Sequence, residues 1–245
     1  MNSGIYTAYS GMQAQSDLLD VLANNLANVN TTGFKAEKAF FTLLQESVDD
    51  AENQNPLQAA INNPVTVRST FDGKEGTPIN TSRNLDIAIE GDGYLVIQAP
   101  QGIRYTRNGN LHMNSKGVLT TVDGFPVLGD EKKPIVLGHG KISINEIGDI
   151  QLDKVAVDRL KLVRFEKLSS LEKEGSSLFI SREGQGIELK SDAKIRAEYL
   201  EQSNVNPVQA VVQMVSVLRN FEAVQKSMNL ITNDMNKKAI ETLSR

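Results

Sequence analysis

The chain has 245 residues, 40% of them hydrophobic, and a formal net charge of −4. That length admits one large domain or two modest ones with a real core, and the mild acidity excludes the electrostatic footprint of a nucleic-acid or anionic-membrane binder. There is no cysteine, which excludes disulfides, thiolate metal sites and a cysteine nucleophile.

The first predicted helix runs from about Ser3 to about Asn28. Ile5, Met12, Leu19 and Leu26 recur every seventh residue, and Ala8, Gln15 and Leu22 fill a second seam position. A heptad stripe of this kind is the mark of helix-on-helix packing. Asn24, Asn25, Asn28 and Asn30 crowd its end. Asparagine is a mediocre helix former, so the cluster calls for a reason beyond helix propensity. Gly33 supplies a left-handed stop. No basic region precedes Lys35, so no cleavable signal is expected, and no apolar run is long enough to span a membrane.

Residues 36–81 read as a connector. Phe40, Phe41, Leu43 and Leu44 suit a short helix or strand, and 45–65, with the acidic run 46–55, reads as loop. From about Asn84 the period changes to alternation, punctuated by Gly91-Asp92-Gly93, Pro100-Gln101-Gly102, Asn108-Gly109, Lys116-Gly117 and Asp123-Gly124. Strands are predicted at 94–98, 103–107, 111–113, 118–122, 125–128, 141–144, 160–165, 178–180 and 187–189. This is an antiparallel β domain of many short strands, over 82–203.

The last predicted helix starts at the Asn206-Pro207 cap and reaches about Leu243. Met214, Phe221, Met228 and Met235 repeat by sevens, with Val217, Val224 and Ile231 three residues behind. The fold class is therefore α+β, and the organisation is nested. Residues 1–35 and 204–245 are two halves of a helical domain around the connector and the β domain. Two sticky helices at opposite chain ends suggest a protein that completes its fold by assembling with copies or relatives.

Chemistry is sparse. His112 sits in a predicted strand and His139 in a Gly-His-Gly turn, and neither has a metal-ligand partner at helical spacing. No phosphate-binding loop, dinucleotide fingerprint or nucleophile elbow occurs. No cofactor, metal or small-molecule substrate is expected. The best enzyme candidate is the carboxylate pair Glu90 and Asp92, which could serve glycoside hydrolysis. Carboxylates at glycine turns are more often turn formers. A third possibility is a cytoplasmic export chaperone with helical binding arms.

Three blocks carry a resemblance. LANNLANVNTTGF (22–34), LDIAIEGDGYLVIQ (85–98) with YTRNGNLHMNSKGVLTTVDGFPVLG (105–129), and SNVNPVQAVVQMVSVLRNFE (203–222) together resemble the flagellar rod, hook and hook-associated axial proteins, in that family's order. The start at 5–8, Asn206-Pro207-Val208 and Arg219–Glu222 are most similar to proximal-rod subunits, with distal-rod subunits next and the hook type further off. The resemblance implies a non-enzymatic subunit that polymerises helically into the drive shaft across the periplasm. It implies passage through the flagellar type III export apparatus without a cleaved signal. It implies partners that are copies of itself and neighbouring rod proteins. It also implies that the terminal helices form an antiparallel coiled-coil domain. The expected assembly interface is Ile5, Met12, Leu19, Leu22, Asn24, Asn25, Leu26, Asn28, Met214, Val217, Phe221, Val224, Met228, Ile231 and Met235. For the asparagines, one reading fixes register between subunits; the other caps the helix and shapes its exit.

Overall fold

The computed structural model describes residues 2–43, 65–138, 140–181 and 188–243. The loop read at 45–65 and the turn at His139 lie outside them, apart from Val65. Two long helices form where the apolar residues keep a near-heptad period. Helix α1 spans Asn2–Ala27 and α2 spans Pro207–Leu243. The start of α2 is set by chemistry read from the sequence. Asn206 Oδ1 accepts the Gln209 amide at 3.1 Å, and Pro207 occupies the first turn, where its missing N–H removes nothing.

Between the helices the described chain forms short antiparallel strands. These are β1 (Glu37–Leu43), β2 (Val65–Phe71), β3 (Pro78–Asn80), β4 (Ile87–Glu90), β5 (Tyr94–Ala99), β6 (Gly102–Thr106), β7 (Leu111–Met113), β8 (Leu119–Thr121) and β9 (Ile142–Ile144). After them come β10 (Asp149–Leu152), β11 (Val155–Arg159), β12 (Leu162–Phe165), β13 (Leu171–Glu174), β14 (Leu178–Ser181), β15 (Glu188–Lys190), β16 (Lys194–Ala197) and β17 (Tyr199–Glu201).

The chain divides into two compact units. One holds Met1–Leu26, Glu37–Thr70 and Asn206–Arg245; the other holds Ala27–Ala36 and Phe71–Val205. These boundaries run differently from the sequence division at 35, 81 and 203. Residues 27–36 group with the β unit, and 37–70, with the β1–β2 pair, group with the helices.

In the β unit the largest sheet has the order β13-β14-β6-β5-β12-β15. Strand β5 is buried on both faces, and its alternation separates two cores. Leu95 and Ile97 enter an aliphatic core with Ile87, Ile89, Leu111, Leu119, Ile150 and Leu160. Tyr94 and Val96 enter an aromatic core with Phe71, Tyr105, Phe165 and Phe179. Ring centroids there lie 4.7 Å apart for Phe71–Phe179, 5.4 Å for Tyr94–Phe179 and 4.8 Å for Tyr105–Phe165, with the two tyrosine pairs edge-on, as aromatic quadrupoles prefer.

Some strands were not legible. The stretch expected as one strand at 125–128 forms isolated bridges to three different partners, Thr120↔Pro126, Ile97↔Val127 and Leu128↔Pro134. Two of those partnerships involve prolines, which cannot donate to a ladder. The returning strands β16 and β17, over Lys194–Glu201, are charged and half-exposed, so they carried no apolar signal. They close the unit by pairing with β4 and β3.

Candidate assembly surfaces and the anchored signature segment

The α1 stripe is half-legible in burial. Leu22 is buried, and Met12, Leu19 and Leu26 are partly so. Among the described side chains of this helix, Ala14 is the other buried apolar position. Of the asparagines, Asn25 is buried and Asn24 is exposed. Asn25 acts as a one-residue strand. Its Nδ2 donates to the Glu37 carbonyl and its Oδ1 accepts the Glu37 amide, both at 2.8 Å. Asn28 shapes the exit from the helix. Its carbonyl accepts the Thr31 amide and its Oδ1 accepts the Thr31 hydroxyl, each at 3.1 Å. At these two positions the side-chain amides make hydrogen bonds within the chain.

On α2 the predicted seam residues Met214, Val217, Phe221, Val224 and Met228 are all half-buried, while Arg219, Glu222, Lys226, Asn229 and Asn233 are exposed. The side chains of Ile5, Ile231 and Met235 lie outside the described residues. Beside that seam runs a second apolar stripe that the sequence reading missed: Val208, Val211, Val212, Val215 and Leu218. Val208 and Val212 are 72% and 64% exposed. Its spacing of three and four residues was a signal, but it lay next to a longer heptad.

Within the β unit the segment Thr31–Lys35, which covers the end of the first of the three resemblance blocks and is called the signature segment below, is anchored by charge and by backbone. Phe34 and Lys35 are fully buried. The Thr32 hydroxyl donates to Asn108 Oδ1 at 2.8 Å, and the Gly33 amide donates to the Glu201 carbonyl at 2.8 Å. Lys173 Nζ lies 3.5 Å from the centre of the Phe34 ring. Lys35 Nζ donates to Glu201 Oε1 at 2.6 Å and to the Lys74 carbonyl at 2.7 Å. Arg107 Nε donates to Glu201 Oε2 at 3.1 Å, and its Nη2 reaches the Ile89 and Gly91 carbonyls. Glu201 Oε1 also accepts the Gly76 amide at 2.8 Å. Burial holds the Lys35 ammonium below its ordinary range, with Arg107 pushing the same way and Glu201 opposing. None of Lys35, Arg107 or Glu201 was singled out from sequence as a partner of the others. Charged residues at strand ends read as solvated, and no local pattern joins positions 166 residues apart.

Both carboxylates of the enzyme candidate lie at the surface. Glu90 Oε1 accepts Arg196 Nη1 at 3.3 Å as a half-exposed ion pair. Asp92 is exposed in its turn, where its carbonyl accepts the Ser191 hydroxyl. His112 is exposed on β7 beside Arg83. Among the described residues there is no group of three or more His, Asp or Glu side chains that could hold a metal. Among them, too, no helix is long and apolar enough to cross a membrane.

Three family models match the chain. The flagella basal body rod protein model covers residues 5–35, the flagellar hook protein FlgE/F/G D1 domain covers 88–159, and the flagellar basal body rod FlgEFG protein C-terminal model covers 196–242. The flagellar basal-body rod protein FlgF of Caulobacter vibrioides is 31% identical over 100% of this chain and 99% of its own length. The chain belongs to the flagellar basal-body rod protein family. FlgF of Rhizobium meliloti is 31% identical, over 99% of this chain and 98% of that protein. FlgG of Borreliella burgdorferi is 32% identical, over 94% and 97%. The rod-family chain is thus a structural subunit of the flagellar basal body, and the anchored segment at 31–35 lies in the first matched region.

Proposed function

We propose that the chain is a non-enzymatic rod subunit of the proximal, FlgF type, with the distal FlgG type as the next reading. In this proposal it polymerises helically with copies of itself and with neighbouring rod proteins. The polymer is the drive shaft that carries motor torque across the periplasm. Each subunit leaves the cytoplasm through the flagellar type III export apparatus without a cleaved signal. The seams of α1 and α2, Ile5 to Leu26 and Met214 to Met235, pair as an antiparallel coiled coil, and Asn24 faces a neighbouring subunit.

The observation that carries the reading is the second stripe on α2. A helix with a half-buried seam and five further exposed apolar side chains beside it has more apolar surface than one partner covers. Packing that stripe against neighbouring subunits removes it from water, at about 1.5–3 kcal/mol for each fully buried side chain. A heterologous contact of this kind, repeated by a screw operation, grows a filament rather than a closed ring.

The cysteine-free sequence makes the test clean. Val212→Cys is expected to react with a maleimide in dilute subunit and to be protected from it in isolated basal bodies. Val212→Lys with Val215→Lys is expected to abolish swarming and assembly while the purified protein keeps its thermal unfolding midpoint. Assembly and swarming at the parent level in the double-lysine variant would sink the proposal.

A further inference from the structure

Glu201 and Asn204 collect donors from three earlier parts of the chain. The Gly33 amide goes to the Glu201 carbonyl, and the Ala36 amide goes to Asn204 Oδ1 at 2.7 Å. The Gly76 amide, Lys35 Nζ and Arg107 Nε all go to the Glu201 carboxylate. Asn204 Nδ2 in turn donates to the carbonyls of Asp72 and Lys74, at 3.0 and 2.9 Å. Lys35, Arg107 and Glu201 have side chains between 0 and 2% exposed. Glu75 lies 4.0 Å from Arg107 Nη2 but is half-exposed.

Take away residues 201–204 and the consequences are definite. Two cations would be buried side by side without the carboxylate that lies between them. Amides at 33, 36 and 76 would lose their acceptors. A buried charge left unpaired is strongly unfavourable, and each orphaned amide adds to that. Lys35 precedes Glu201 by 166 residues and Arg107 by 94, so on a chain delivered N-terminus first every donor waits for the last strand of the β unit.

We propose that residues 201–204 are a closing clasp. The segment Thr31–Lys35 docks only when this stretch arrives, so a chain delivered only as far as residue 200 leaves the segment undocked. The segment ahead of residue 36 leads directly from α1, and Glu201 lies just before the cap of α2. The clasp therefore makes arrival of residues 201–204 a condition for fixing Thr31–Lys35 in the β unit. This inference concerns the folding of a single subunit and stands apart from the assembly reading.

Pulse-labelled hydrogen exchange of the full chain, refolding from denaturant and read by mass spectrometry, tests the order. Amides at 33–36 are expected to gain protection in the same phase as 201–204, after the β5–β6 hairpin. Protection at 33–36 ahead of 201–204 would overturn the proposal. At equilibrium, Glu201→Gln is expected to speed exchange at 33–36 on the order of a hundredfold, with β5–β6 amides unchanged. Unchanged protection at 33–36 would overturn it as well. Should that variant not fold, Lys35→Met combined with Glu201→Gln removes one of the two cations and is expected to recover a folded β unit. A double variant no better than Glu201→Gln would show that charge does not close the clasp.

Discussion

At Gly33 the backbone has φ +67°, and a Cβ there would lie 2.5 Å from the Asn108 amide nitrogen and 2.6 Å from the Arg107 carbonyl carbon. Backbone cannot yield as a flexible side-chain tip does. Gly33→Ala therefore combines a left-handed penalty with a clash and is expected to cost roughly 2–4 kcal/mol in urea unfolding of the β unit. A loss below about 0.5 kcal/mol would mean that the segment can shift away from Asn108. Tyr94 offers a pH test. Burial raises its phenol from the ordinary 10.0 to about 12, against the pull of Arg107. Between those values the unfolded chain releases a proton that the folded chain keeps, so stability is intact below pH 10 and falls as the pH climbs from 10 to 12. The loss reaches about 2–3 kcal/mol at the upper end. Absorbance at 295 nm should show Tyr94 ionising late, as a difference against Tyr94→Phe. Its ionisation is expected to coincide with loss of the near-ultraviolet dichroism of the aromatic core.

At the scale of elements, the helices needed only local chemistry. The Asn206-Pro207 pair predicts the start of α2 because a side-chain oxygen and a preset φ act within one turn. Asn206→Ala removes the 3.1 Å acceptor of the Gln209 amide and is expected to cost about 1 kcal/mol, which speeds exchange of the first-turn amides about fivefold. The hairpins were legible for the same reason: β5–β6, β7 and β8 fall between turns whose glycines and asparagines stand in the sequence. The strands that escaped notice are those without an apolar alternation of their own. Strand β16 buries Ile195 between exposed Lys194 and Arg196, and its strand character comes from its partner β4. The α2 seam was legible as a heptad. The stripe at Val208–Leu218 was not, because two adjacent apolar stripes on one helix blur into a hydrophobic average.

Across the whole molecule, residues 27–36 belong with 71–205 although the intervening chain groups elsewhere. A protease site inserted between 45 and 64 and cut in the folded protein should leave the peptide containing 27–36 bound to the fragment containing 71–205 in native mass spectrometry. Prompt separation of the two would contradict the anchoring by Phe34, Lys35 and Glu201. By itself the sequence determined two terminal helices with apolar seams, a central domain of short antiparallel strands, and the turns between them. Each of these follows from periodicity or turn chemistry within about ten residues. Only the tertiary structure decided which strands close the β unit, and where the signature segment ends. It alone decided that Lys35, Arg107 and Glu201 share one buried site. The physical reason is range. Burial and charge pairing depend on which distant residues meet, and a lysine awaiting a carboxylate 166 residues away looks, in its own neighbourhood, like any surface lysine.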